Sequence, residues 1–169
     1  MLAGVDGYKN GWIAAILDDT GRTEVKAYCN FKSLQDDTSL SLIVIDIPIG
    51  LPEIGARACD EEARKCLGRL RASSVFPAPI RAMLLARDWE DACRLRTERD
   101  GKRCSKQVAA ILPKVREVNE AMTAYLQRRI REGHPEVSFF TMNRERPVTS
   151  KKKTTQGISE RLALLVPFF

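Results

Sequence analysis

The chain has 169 residues, of which 44% are hydrophobic, and a net charge of +6. That length supports one ordinary hydrophobic core and is too short for two full-sized lobes. No apolar run approaches the roughly 20 residues of a membrane-spanning helix, and the N-terminus has no secretory signal pattern. We therefore expect a single cytoplasmic domain over residues 1–169, with no membrane contact.

The charge is distributed unevenly along the chain. Residues 1–52 hold four Lys/Arg against seven Asp/Glu, a balance of −3, so the remainder carries +9. Such an asymmetry suits a protein that holds a divalent cation beside its sheet and a polyanion across its helices, although Arg-rich helices are commonly only solvated surfaces. The five cysteines form no CxxC pair and have no histidine at metal-ligand spacing, which indicates reduced thiols that mostly fill the core.

The first third of the chain predicts four strands and a short helix. Two apolar runs, residues 2–6 and 12–17, flank an Asn-Gly turn signal and should pair antiparallel. A third strand over residues 24–29 and a short helix over residues 31–35 follow. A meander of strands, then a helix and a further strand, makes the first half of a mixed α/β sheet.

The central strand is LIVIDIPIGLP, residues 42–52, which has one acidic residue among apolar neighbours. We expect this strand to be buried on both faces in the middle of the sheet. Because an unpaired carboxylate is costly in apolar surroundings, Asp46 should lie at the exposed end of the strand or contact a cation. Pro48 and Pro52 predict that the strand ends close to Asp46, at the edge where α/β sheets usually bind ligands.

Residues 53–133 show no strand pattern and predict a helical, Arg-rich insertion. A helix near the start of this segment has Gly68 as a possible end, and Pro113 fits the first turn of a later helix. In chain order, the apolar patterns predict helices over residues 80–99 and 113–131, a fifth strand over 134–143 and a helix over 158–166.

Three carboxylates, Asp6, Asp46 and Glu136, lie at the edges of these predicted strands. Converging on one sheet edge, they would bind Mg²⁺ or Mn²⁺ through oxygen ligands, and a pair of such ions can activate water for phosphodiester hydrolysis. Each also has a structural alternative: Asp6 can cap the hairpin, Asp46 can cap the next helix, and Glu136 can lie on the surface. Tyr8 and Trp12 flank Asp6 and could stack on a base, although core packing suits Trp12 better.

Four cations are candidate phosphate contacts. Arg57 and Arg64 are seven residues apart, on one helix face, and either clamp a phosphate or pair with neighbouring acids. Lys151 and Lys152 belong to a three-lysine run, which either contacts phosphates or forms a solvated loop.

The order of motifs resembles a known family over nearly the whole chain. The successive segments are GVDGYKNGW, IDIPIGLP, RACDEEARKCLG with SVFPAP, SKQVAAILPKVREVNE, HPEVSFF and SKKKTTQGISERLALL. They are similar to the domain of unknown function 429 family, which comprises predicted nucleases with an RNase H-like fold. The resemblance implies an α/β architecture, a five-stranded mixed sheet with flanking helices.

The same resemblance implies roles for individual residues. Asp6 and Asp46 would take the two acidic positions that hold metal in RNase H-like enzymes, and Glu136 matches the acidic residue of the family's HPE motif. The remaining matches are Arg57, Asp60 and Arg64 to its R-C-D-x-x-x-R motif, and Ser150, Lys151, Lys152 and Gly157 to its S-K-K...G segment.

The chain departs from the family pattern after Glu136. The family includes a further acidic motif, Asp-Asp followed by Asp-Ala, on a later helix, whereas only Glu145 and Glu160 follow here. We therefore expect weak metal binding and partial exposure of C-terminal apolar residues. This C-terminal apolar patch, which would support a homodimer, comprises Leu162, Leu164, Leu165, Phe168 and Phe169.

Together these observations favour a metal-dependent nuclease or related phosphodiesterase acting on DNA or RNA. A catalytically inactive nucleic-acid-binding or scaffold protein is the alternative if a metal ligand is missing. A nucleotide-phosphate binder is a third hypothesis, because Asp6-Gly7 followed by Gly11 faintly resembles a phosphate loop. That class needs a second lobe and a second loop, for which the chain is too short.

Overall fold

The computed structural model describes residues 1–168. The chain divides into two compact units, each built from two separate segments. Unit 1 comprises Met1–Gly55 and Ala78–Gly133, and unit 2 comprises Ala56–Pro77 and the chain from His134 onward. The single domain with an insertion over residues 53–133 stays a prediction.

Unit 1 contains a five-stranded mixed sheet, so the α/β class is confirmed. The strand order is β3-β2-β1-β4-β5; β1, β2 and β3 are antiparallel, whereas β4 is parallel to both β1 and β5. The strands are β1 (Leu2–Tyr8), β2 (Gly11–Leu17), β3 (Thr23–Tyr28), β4 (Leu42–Ile45) and β5 (Ile130–Glu132).

Six α-helices occur among residues 1–168, three in each unit. Unit 1 contains α1 (Phe31–Gln35), α3 (Trp89–Asp100) and α4 (Lys106–Ala121), and unit 2 contains α2 (Ala58–Arg71), α5 (Pro135–Met142) and α6 (Thr155–Leu165). In this part of the chain, none of the helices has both the length and the apolar character that crossing a bilayer requires.

The predicted antiparallel hairpin is confirmed, and it sets the register of the sheet. Leu2 pairs with Leu17 at one end of β1 and β2, and Tyr8 pairs with Gly11 beside the turn. Along β1 and β4, burial alternates because side chains on a strand point to opposite faces in turn.

The sheet has one buried and one exposed face, which corrects the prediction that the central strand is buried on both sides. Ile43 and Ile45 are fully buried, together with Val115 and Val118 of α4. Val44, between the two isoleucines, is 38% exposed. An uninterrupted apolar run therefore does not require two covered faces.

In unit 1, α3 begins later and α4 begins earlier than the sequence predicts, because capping residues set where each helix starts. Asp88 accepts a hydrogen bond from the Asp91 amide at 2.7 Å, so α3 begins at Trp89 rather than at residue 80. Ser105 likewise accepts from the Val108 amide at 3.2 Å, so α4 begins at Lys106 and Pro113 lies inside it. The helix predicted over residues 113–131 was therefore wrong in both of its bounds.

The fifth strand was predicted in the wrong place. Most of the segment over residues 134–143 forms α5, and β5 lies just before it, inside the segment predicted to be wholly helical. Pro135 occupies the first turn of α5, where its missing N–H costs nothing. The bulky apolar residues that suggested a strand therefore belong to a helix.

In unit 2, Gly68 interrupts α2 at a kink, which is where the sequence predicted a possible end of the helix. Its φ of 62° lies in the left-handed region that glycine enters without a steric cost. The residues that follow continue as a helix to Arg71.

Candidate metal centre

Two acidic residues lie side by side in unit 1, Asp6 in β1 and Asp46 directly after the neighbouring parallel strand β4. Val5 of β1 pairs with Ile45 of β4, and the Asp46 amide continues this pairing by donating to the Val5 carbonyl at 3.1 Å. Asp6 and Asp46 each follow the paired residue by one position. The local sequence therefore brings both acids to the same level of the sheet.

The two carboxylates also share a face. Val5 and Ile45 are buried, so the alternation of side chains places Asp6 and Asp46 on the opposite, exposed face. Neighbouring strands are about 4.8 Å apart, which is close enough for two carboxylates to bind one cation. Asp6 Oδ1 also accepts a hydrogen bond from the Gly7 amide at 2.7 Å, which orients its carboxylate.

A third acidic residue, Glu132, lies at this end of the sheet and is not among the site residues predicted from the sequence. It ends β5 and pairs with Ile45, so it lies on the face opposite Asp46. Its Oε2 accepts a hydrogen bond from the Ile49 amide at 2.8 Å, which fixes the segment immediately after Asp46. The short segment Ile130-Arg131-Glu132, which precedes a glycine, could have indicated a strand that ends there. Its first two residues instead fall within the helix predicted over residues 113–131.

The aromatic residues beside Asp6 have different environments. Trp12 is fully buried, as expected for a core residue, and its ring lies 5.6 Å from that of Phe31. Tyr8 lies two residues after Asp6 in β1, so it shares the exposed face of the carboxylates, and it is 45% exposed. Lys9 Nζ lies 5.1 Å from the Tyr8 ring centroid. A planar ligand next to Asp6 would thus meet an exposed ring and a cation.

Glu136 does not lie at a strand edge, so that argument for its metal role was wrong. It is a buried residue of α5, in unit 2. Arg161 binds both of its oxygens, at 2.7 to 3.1 Å, and Arg71 Nη2 lies 3.0 Å from Oε2. Burial opposes the charged form, but the bonds from Arg161 and Arg71 prevail and hold the pKa of Glu136 below its usual value.

The two predicted arginines contact groups within unit 2. Arg57 precedes α2 and binds Asp60 through two hydrogen bonds, of 3.2 and 2.5 Å. Arg64 Nε donates to the Val75 carbonyl at 2.9 Å. Of the two alternatives left open by the sequence, pairing with a neighbouring acid describes Arg57, whereas Arg64 positions the segment after α2.

The S-K-K...G segment leads into α6, and its glycine lies in the first turn of the helix. Thr154 caps the helix by accepting from the Gly157 amide at 3.1 Å. A Cβ at Gly157 would collide with the Lys151 carbonyl oxygen, so glycine permits this close approach. The Lys151 and Lys152 side chains are exposed, which suits either of the predicted roles.

The predicted site residues therefore belong to two groups. Asp6 and Asp46 are brought together in unit 1, whereas the others are in unit 2, namely Glu136, Arg57, Arg64, Lys151 and Lys152. Within residues 1–168 there is no cluster of three or more His, Cys, Asp or Glu side chains arranged to hold a metal ion. The candidate centre consequently offers two carboxylates, with further coordination positions open to water or substrate oxygens.

Comparison with known proteins identifies the family. The model of the family described as "Protein of unknown function (DUF429)" matches residues 4–168. The chain belongs to the DUF429 family. No curated protein and no solved structure matches it significantly. The resemblance inferred from the motifs is thus confirmed at the level of the family, whose description names no activity.

Proposed function

We propose that this DUF429 protein is a metal-dependent nuclease or related phosphodiesterase of the RNase H-like type. The observation that carries the proposal is the placement of Asp6 in β1 beside Asp46, which directly follows the parallel strand β4, with both side chains exposed. The five-stranded mixed sheet supports it, because an RNase H-like fold implies such a sheet.

The donor set suits a hard divalent cation. Mg²⁺ and Mn²⁺ prefer oxygen ligands, and Mg²⁺ commonly binds through one or two carboxylates together with water and substrate phosphates. When bound, such an ion would activate water and stabilise the leaving oxygen of a phosphodiester. Asp6 and Asp46 bind the ion in this proposal, while Glu132 positions the chain after Asp46.

The remaining residues of the proposal contact the nucleic acid. Tyr8 offers an exposed ring for stacking on a base, which is typical of proteins that bind single strands. Lys151 and Lys152 are exposed cations that can contact phosphates as point charges. The homodimer through the C-terminal apolar patch and the cytoplasmic location stay predictions; Phe169 of that patch lies outside the described residues, and Leu162 and Phe168 are exposed.

Calorimetric titration of Mn²⁺ and Mg²⁺ into the protein tests the metal centre. We expect binding by the unmodified chain and its loss in both Asp6→Asn and Asp46→Asn. Asp19→Asn is the matched control, because Asp19 is a 97% exposed acid of the same unit, in the turn after β2. Equal binding by Asp46→Asn and Asp19→Asn would contradict the proposed centre.

A cleavage assay then tests the reaction. Labelled single-stranded, duplex and hybrid DNA and RNA are incubated with each metal ion, and we expect metal-dependent cleavage that Asp46→Asn abolishes. Nucleic-acid binding and metal binding without cleavage would favour the inactive, binding-only alternative. Binding of free nucleotides without strand cleavage would favour the nucleotide-phosphate binder.

A further inference from the structure

Two buried cysteines lie against each other in unit 1, apart from the metal centre. Cys93 of α3 and Cys104, in the loop before α4, are 4% and 6% exposed. Their Sγ atoms are 3.3 Å apart, and Cys93 Sγ also lies 3.5 Å from the Cys104 carbonyl oxygen. The other three thiols, those of Cys29, Cys59 and Cys66, are exposed, which corrects the expectation that most of the cysteines fill the core.

We propose that Cys93 and Cys104 form a reversible intramolecular disulfide when the protein meets a hydroperoxide. A disulfide bond is about 2.05 Å long, so the two sulfur atoms need to approach by only about 1.3 Å. Since Cys93 lies within a helix and Cys104 lies in a loop, the loop can supply most of this movement.

Hydrogen bonds around the two cysteines hold the loop that contains Cys104 against α3. Thr97 Oγ1, one turn after Cys93, donates to the Cys93 carbonyl at 2.8 Å and lies 3.3 Å from the Lys102 carbonyl. Trp89 Nε1 donates to the Cys104 carbonyl at 3.3 Å. Contacts on both sides of the loop therefore keep Cys104 beside α3 without any covalent link.

A small oxidant can reach Cys93 from a surface groove. The groove has a volume of about 410 Å³ and is lined by Cys93, Arg94, Thr97 and Arg103, among other residues. On either side of Cys104 in the chain, Arg103 and Ser105 are exposed. The thiols are thus shielded from bulky reagents but lie just beneath the surface.

The environment also explains how the two thiols can coexist in the reduced form. Burial, followed by the hydrogen bond with Cys93, raises the pKa of Cys104 to about 11. Its thiol is therefore almost wholly protonated at neutral pH, and the thiolate is the reactive form. No third metal-ligating side chain joins the pair within the described part of the chain.

Hydrogen peroxide is the two-electron oxidant that forms the disulfide. One thiolate attacks a peroxide oxygen, the O–O bond breaks, and a sulfenic acid and one water form after proton transfer. The second thiolate attacks the sulfenic sulfur, the S–O bond breaks, and a second water leaves with the proton of the second thiol. Two thiols are oxidised by two electrons in all, and one hydrogen peroxide is reduced to two waters. A dithiol reverses the reaction by exchange.

The test uses the full chain with its three exposed cysteines replaced, Cys29→Ser, Cys59→Ser and Cys66→Ser. After treatment with hydrogen peroxide, we expect both remaining thiols to be lost, with a mass decrease of about 2 Da in the monomer. Proteolysis should yield a linked peptide that contains Cys93 and Cys104, and dithiothreitol should restore both thiols.

The matched control adds Cys93→Ser to the same background, with circular dichroism to establish that it folds. Cys104 alone should give no mass decrease and no linked peptide. The proposal is overturned if peroxide leaves both thiols of the two-cysteine protein free, or if it yields only oxygen adducts of about 16 Da each or disulfides between molecules. Cys104→Ser provides the same test if Cys93→Ser fails to fold.

Discussion

The two units are stabilised in different ways. The principal apolar core, which includes Trp12, Phe31 and Ile43, lies entirely in unit 1. Unit 2 instead contains four of the five buried charged residues among residues 1–168, while Arg96 belongs to unit 1. The four are Asp60, Arg71, Glu136 and Arg161.

The difference separates a buried, ion-paired acid from acids that lie on an exposed face of the sheet. Glu136 is buried and bound by two arginines, so a metal ion would have to displace those partners. Asp6 and Asp46 are exposed on a sheet whose stability comes from the opposite face. The substitutions below should therefore affect the two units very differently.

The largest effect is expected for Glu136→Ala. Removal of this carboxylate leaves Arg71 and Arg161 buried without their counter-ion, and breaking a buried ion pair in this way costs about 3–5 kcal/mol of unfolding free energy. Urea denaturation measures the loss. Glu145→Ala, at an exposed acid of the same unit, should change the free energy by less than about 0.5 kcal/mol. Similar values for the two variants would contradict a structural role for Glu136.

A smaller loss is expected for Gly157→Ala. Alanine normally favours a helix over glycine by about 1 kcal/mol, but here its Cβ would collide with the Lys151 carbonyl oxygen. We expect a net destabilisation of about 1–3 kcal/mol. Gly4→Ala in β1 is the control, because no atom lies within 4 Å of the added Cβ. Thermal unfolding compares the two, and a stabilised Gly157→Ala would show that α6 does not need the close approach.

The pH dependence of the unfolding free energy should also reveal the contribution of the ionised Glu136 carboxylate. Its pKa in the folded state lies below the ordinary value of 4.5, so the unfolded chain binds more protons near that pH and stability rises as the pH increases. The contribution is fully present above the unfolded pKa and is lost as the pH falls through the folded pKa. The difference in unfolding free energy between the native chain and Glu136→Gln should therefore shrink below about pH 4.5. A difference that grew as the pH fell would contradict this assignment.

Local patterns predicted the first half of the sheet well, because each element there depends on near neighbours. The hairpin follows from the turn between two apolar runs, and α1 from its capping residues, Asn30 and Ser33. Asp6 and Asp46 could be paired in advance, because both follow apolar strand residues. The exposure of Val44 could not be predicted in advance, because it depends on what covers the second face of the sheet.

The sequence was misleading where tertiary contacts decide the outcome. Ile130 is fully buried beside Ile43 in the sheet, yet it also fits the apolar stripe of a helix. Glu136 and Arg161 are separated by 25 residues, and no local pattern predicts that they meet. Glu132 was missed for the same reason, since its place at the end of the sheet depends on β5 pairing with β4.

The smallest effect is expected for Asp6→Asn, and its sign is informative. Like charges side by side on neighbouring strands repel, so neutralising Asp6 should leave the metal-free protein unchanged or more stable by roughly 0.2–1 kcal/mol. The asparagine oxygen can still accept the Gly7 hydrogen bond, so no contact need be lost. Asp19→Asn removes a charge in the turn after β2, beyond the end of that strand that lies away from Asp6, and should not stabilise the chain. If Asp6 and Asp46 bind the ion as proposed, added Mn²⁺ should raise the melting temperature of the native chain and of Asp19→Asn, but not that of Asp6→Asn, because a ligand stabilises only the folded state that binds it. A marked destabilisation by Asp6→Asn without metal would instead mean that the exposed acids of unit 1 are structural, like the buried ones of unit 2.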